Sequence, residues 1–146
     1  METINTNYTG YAAEVNIPLI VLTTCNGTIM IPVQQIIRIQ SISNYSKLFF
    51  KDGGTLVVAK VLRWFHEQDA LASFIRIHRT HFVNSNYIKN YSGAKTGLLL
   101  LHNGEMFPVS RRKKVGLAKR LNNLNNSFTN ASMYTSKHNT DKILAA

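Results

Sequence analysis

Apolar, β-branched residues run from Leu19 to Cys25, Asn26-Gly27 interrupts them, and Thr28–Ile31 resumes the pattern. An Asn-Gly pair between two such runs is the strongest short hairpin signal, because both residues tolerate positive φ, so a first hairpin is expected there. Pro32 ends it, Gln34-Gln35 lead on, and Ile36–Ser43 reads as a strand with Ile37 and Ile39 on one face. Asn44-Tyr45 reads as a turn. Ser46–Lys51 and Thr55–Val58 flank Asp52-Gly53-Gly54, a second hairpin with glycine where positive φ is needed. The period then changes. Leu62, Phe65 and Asp69 against Val61, Trp64 and Gln68 predict one amphipathic helix over 61–71, with Trp64 and Phe65 as packing anchors.

Phe74 to His78 alternates as a strand does, with Arg76 and His78 on one face and Ile75, Ile77 and Arg79 on the other. Residues 80–86 are polar and turn-prone, which predicts a loop beside the arginines before Tyr87-Ile88 resume a strand pattern. Tyr87–Tyr91 and Leu98–Leu101 are expected strands, and Asn103-Gly104 turns the second into Glu105–Pro108, a third hairpin. Ser110 is a suitable N-cap for a helix over 111–121 whose apolar side is Val115, Leu117, Ala118 and Leu121. Residues 1–18 are a polar lead expected to be flexible, and the Asn-, Ser- and Thr-rich stretch 122–146 an expected disordered tail. One domain, 19–121, is left between them.

Charge sharpens this outline. Seventeen Lys and Arg against seven Asp and Glu give +10 in 146 residues. The excess is local: residues 1–75 are neutral, with Arg38, Lys47, Lys51, Lys60 and Arg63 balanced by Glu2, Glu14, Asp52, Glu67 and Asp69. From Arg76 to Arg120, Glu105 is the one acid in a strongly basic segment. A concentrated positive charge is the footprint of a surface that meets a polyanion. Arg111, Arg112, Lys113 and Lys114 occupy the expected first turn of the last helix, where the macrodipole disfavours cations. A phosphate docked at that helix N-terminus would remove the conflict. Nucleic acid is therefore the leading partner. The lone cysteine, Cys25, forms no internal disulfide and fits a reducing compartment, so a cytoplasmic location is expected. No run approaches the roughly 18 apolar residues of a membrane span.

The residues Phe74-Ile-Arg-Ile-His-Arg-Thr-His-Phe-Val-Asn84, then Tyr87-Ile88, four leucines to Leu101, Asn103-Gly104 and Pro108-Val-Ser-Arg-Arg-Lys113 form an ordered series of motifs. Together with Ile36–Ser41 and Asn44-Tyr45 upstream, they closely resemble the LytTR DNA-binding domain of bacterial response regulators over roughly residues 20–121. The resemblance implies a mainly β fold of about ten short strands in small antiparallel sheets with two short helices. It implies sequence-specific binding of double-stranded DNA by a transcriptional regulator, with sheet-edge loops entering the major groove at promoter direct repeats. Carried over by position, it implies that Asn44, Tyr45, Ser46 and Lys47 approach DNA, and that Arg79 and Arg111 contact bases or phosphates. His78 is implied to be a packing or orienting residue. Arg76 and Lys89 complete the expected DNA-binding set, in which Lys47, Arg112, Lys113 and Lys114 are expected to position the domain on the phosphate backbone. Gln40-Ser41 stand where an acid is common, and no receiver domain precedes the motif, so the domain is expected to stand alone. A homodimer on DNA is expected because one domain spans one repeat.

Three other readings compete. An RNA-binding module could stack bases on Tyr45, Phe49, Tyr87, Tyr91 and Phe107 beside the same cations. A metal enzyme would need clustered ligands, yet strand spacing sets His78 and His81 on opposite faces, and there is no paired-carboxylate set, nucleophile elbow or phosphate loop. No enzyme activity, cofactor or metal is expected. A membrane-surface role would ask more apolar area of the last helix than Val115, Leu117 and Leu121 supply.

Overall fold

A computed structural model describes residues 16–126, which divide into two compact units at Ser73/Phe74, inside the single domain expected from the sequence. Among the described residues, ten strands paired antiparallel supply most of the regular structure, so the mainly β expectation holds.

In the first unit, β1 (Leu19–Thr24) and β2 (Gly27–Pro32) form the first hairpin. Its loop is Cys25-Asn26, one residue earlier than the Asn-Gly signal, with Gly27 at φ 119° opening the return strand. β3 (Ile36–Ile42), β4 (Tyr45–Phe50) and β5 (Thr55–Val58) make a meander. A bulge between Ile36 and Arg38 disrupts the simple alternation, and Ile36, Ile37 and Ile39 are all buried. Asp52 Oδ1 accepts from the Gly54 amide at 2.8 Å and Gly53 takes φ 92°, closing the β4–β5 turn as expected.

The expected helix over 61–71 is cut short. α1 covers only Leu62–His66; Gln68 is extended, and a 3-10 turn follows over Asp69–Leu71. The burial explains the break. Leu62, Phe65 and Leu71 are the buried positions, and a continuous helix would bury 68 or 69 after Phe65 and carry Leu71 off the core face. Phe65 is fully enclosed, while Trp64 is half-buried with its ring edge-on to Phe65 at 5.0 Å.

In the second unit, β6 (Phe74–His78) and β7 (His81–Asn84) pair through a two-residue turn, Arg79-Thr80. The loop expected over 80–86 is thus mostly a strand. Phe82 and Val83 supply the β-forming, buried side chains, and the turn-like composition begins only at the 3-10 turn Ser85–Tyr87. β8 (Ile88–Tyr91), β9 (Leu98–Leu101) and β10 (Met106–Pro108) form a three-stranded sheet, with one helical turn, α2 (Gly93–Thr96), inserted between β8 and β9.

The last helix, α3, covers residues 111–126 among the described residues and so runs at least five residues past the end expected at 121. Lys114, Leu117, Leu121 and Leu124 form its covered stripe at spacings of three and four, and Leu124 prolongs that stripe into the Asn-rich stretch. Val115 and Ala118, expected on the apolar side, face solvent, Val115 at 67% exposure. The lead before residue 16 and the tail beyond 126 lie outside the described residues.

Candidate nucleic-acid interface

In the first unit, the β3–β4 hairpin ends in the two-residue turn Ser43-Asn44. Ser43 takes φ 55°, a left-handed conformation that a non-glycine residue adopts at a cost. The turn exposes Asn44 and projects Tyr45 (51% exposed) opposite Ile42. Ile42 was not singled out by its sequence, since it continues an isoleucine-rich strand.

Ser46 is a correction to the expected contact set. It is 0% exposed, and its hydroxyl donates to the Lys60 carbonyl at 2.6 Å, pegging the hairpin to the segment after β5. It offers no surface to a ligand. The reason is parity: with Tyr45 outward at the start of β4, Ser46 and Leu48 must face inward and Lys47 and Phe49 outward.

Lys47 is half-buried with Nζ 5.2 Å from the Phe49 ring centroid. The Arg38 guanidinium stacks over that same ring at 3.5 Å and donates to Gln40 Oε1 at 2.9 Å, leaving Arg38 only 6% exposed. Phe49 is therefore covered by a cation where base stacking would require an open ring.

In the second unit, the β6–β7 turn lifts Arg79 into solvent. His78 and His81 are a directly opposed cross-strand pair with rings 5.9 Å apart, so the separation onto opposite faces expected from strand spacing is overturned by the turn between them. Thr80 lies between the two. Its amide donates to His78 Nδ1 at 3.3 Å, and its hydroxyl is 2.9 Å from His78 Nδ1 and 2.9 Å from His81 Nδ1. His78 is thus hydrogen-bonded to the residue at the end of the turn. His81 also packs edge-on against Phe107 at 4.7 Å. Among the described residues, no group of three or more His, Cys, Asp or Glu is gathered as a metal site.

Arg76 is half-buried, and its guanidinium turns back along its own strand. Nε donates to the His78 carbonyl at 2.9 Å and an Nη donates to the Arg79 carbonyl. Partial burial lowers its pKa from the usual arginine range, because desolvation disfavours the charged form. These bonds commit two of its five N–H donors, on one edge of the guanidinium, to its own turn.

One backbone hydrogen bond joins two sequence-distant parts of the site. The Ser110 amide donates to the Ile77 carbonyl at 2.9 Å, so Arg79 and Arg111 each follow a partner of that bond by no more than two residues. Ser110 stands just before α3, and its carbonyl accepts from Lys113 N. Arg111, Arg112 and Lys113 are exposed in the first turn of α3. Lys114 departs from this group. It is half-buried and folds over Gly97, where an added Cβ would stand 2.6 Å from its Nζ. Lys89 is exposed on β8, beside a groove of about 290 Å³ lined also by Ala118, Leu121 and Asn125, and so lies by the later turns of α3 rather than its first.

Thr80 and Phe107 thus support the Arg79 turn without having stood out as supports in the sequence. The β-forming run His81-Phe82-Val83, read as a strand starting straight after Thr80, is the signal that would have revealed the turn. Among the described residues, no helix is long and apolar enough to cross a membrane.

A family model for the LytTr DNA-binding domain matches residues 26–122. The sensory transduction protein LytR of Streptococcus agalactiae is 27% identical over 100 residues, a match covering 67% of this chain and 40% of that relative's length. A solved LytTr DNA-binding domain from Bacillus cereus is 27% identical, with a TM-score of 0.56 over 71% of this chain and 95% of that one.

Proposed function

The chain belongs to the LytTR DNA-binding domain family, and from that premise we propose that it binds double-stranded DNA sequence-specifically as a bacterial transcriptional regulator in the cytoplasm. Arg79 and Arg111 read base edges in the major groove, since the planar guanidinium fork matches guanine O6 and N7. Arg112, Lys113, Lys47 and Lys89 neutralise phosphates, and Asn44 and Tyr45 approach DNA from the β3–β4 turn. Promoter repeats are the target, each taken by one copy of the domain.

The observation that carries this reading is the Ile77–Ser110 hydrogen bond of 2.9 Å, which tethers an exposed arginine at a tight turn to the basic start of α3. Cations at a helix N-terminus oppose the macrodipole unless an anion shares the site, and DNA phosphate is such an anion. Random-site selection on the full chain, followed by fluorescence anisotropy on the recovered duplex, tests the reading. Arg79→Ala and Arg111→Ala are each expected to relax preference at one base pair by about 5- to 150-fold. Both variants keeping wild-type affinity and preference would refute the assignment.

A further inference from the structure

We propose that Arg76 is a positioning residue for recognition: it clamps the carbonyls of His78 and Arg79, fixing the two-residue turn from which Arg79 reaches DNA. This rests on the DNA-binding reading of Arg79 given above. The sequence alone assigns Arg76 to the contact set, and the geometry gives it another task.

A register shift between Arg76 and His78 breaks the regular pairing of β6 with β7 at this point. Such a bulge re-aims side chains, and here the guanidinium lies along the strand toward its own turn. Its Nε and one Nη meet successive carbonyls, so one edge of the fork is filled by backbone. A fork used in this way cannot also present that edge to guanine. Thr80, bonded through its amide and hydroxyl to His78 Nδ1, holds the rest of the turn. The Arg79 side chain is left pointing into solvent from a backbone fixed on both sides. Lysine at 76 would keep the charge and much of the stem, yet its single ammonium lacks the planar two-donor edge.

The test compares wild type, Arg76→Lys, Arg79→Ala and the double variant on the duplex recovered by random-site selection and on its single-base-pair variants, across a salt series. Arg76→Lys is expected to lose about 5-fold or more of discrimination at the base pair that Arg79→Ala also loses. Its salt slope should match wild type, and the double variant should be no worse at that pair than Arg79→Ala alone. In Arg76→Gln, which removes the charge that Arg76→Lys keeps, the slope should stay at the wild-type value; a uniform affinity loss with the log–log slope reduced by about 0.9 in that variant would mean that Arg76 itself neutralises a phosphate, and would overturn the proposal. Wild-type discrimination in Arg76→Lys, or additive losses in the double variant, would overturn it as well. Should Arg79→Ala lose no discrimination anywhere, the reading of Arg79 fails and takes the role of Arg76 with it, an outcome distinct from failure of Arg76→Lys alone. A measurement on the wild-type chain covers a variant that does not fold. In ¹⁵N NMR the Arg76 Nε–H signal should be protected in free protein and unmoved by the duplex, while that of Arg79 moves. Equal movement of the two signals counts against the proposal.

Discussion

Replacing Ser46 with alanine removes a fully buried hydroxyl that donates to the Lys60 carbonyl at 2.6 Å. The loss has two parts. The net value of the bond disappears, and the carbonyl must find another donor, which together amount to about 1–2 kcal/mol for a partly buried neutral pair. Removing a single oxygen leaves too small a void to add much. For a domain of this size, the melting temperature should fall by about 5–15 °C. Urea unfolding should show a lower midpoint with an unchanged slope, the signature of lost stability rather than altered compactness. DNA affinity and base preference, measured well below the new melting point, should equal those of wild type, because a residue with no exposed surface makes no contact. An unchanged urea midpoint together with altered preference at one base pair would refute this reasoning and return Ser46 to the interface.

Phe65→Ala empties a fully buried aromatic site and should cost about 3–5 kcal/mol in chemical denaturation. Gly97→Ala imposes a Cβ at φ 64° and drives Lys114 off its seat, for about 1–2 kcal/mol; adding Lys114→Ala should recover only the part due to the contact. Arg112→Ala should weaken binding to all duplexes alike and lower the log–log salt slope by about 0.9 in an anisotropy titration.

The hairpins were legible because their signals are local: Asp52-Gly53-Gly54 and Asn103-Gly104 carry the residues that positive φ demands, and both turns lie where the pattern predicts. The ends of helices were less so, since tertiary burial decides them. Leu71 breaks a helix that periodicity alone would continue, and Leu124 extends one that composition alone would stop. Among site residues, the exposure of Asn44, Tyr45, Arg79, Arg111, Arg112 and Lys113 follows from charge, turn chemistry and the family pattern. Ser46, Arg76 and Lys114 do not, because their side chains are captured by a backbone carbonyl or seated over a glycine, placements that residue type and spacing do not specify. Counting cations finds a basic segment; it does not say which of them the protein has already used.

The turns Ser43-Asn44 and Arg79-Thr80 are each only two residues long. Ordering a slack loop costs about 1–2 kcal/mol of backbone entropy per residue, and turns closed by flanking ladders have settled that cost during folding. A partner therefore meets fingers already in shape, and a poorly fitting one gains nothing from their rearrangement. Such stiffness favours rejection of near-miss sequences over tolerance of them, and predicts calorimetric binding without the large unfavourable entropy of coupled folding.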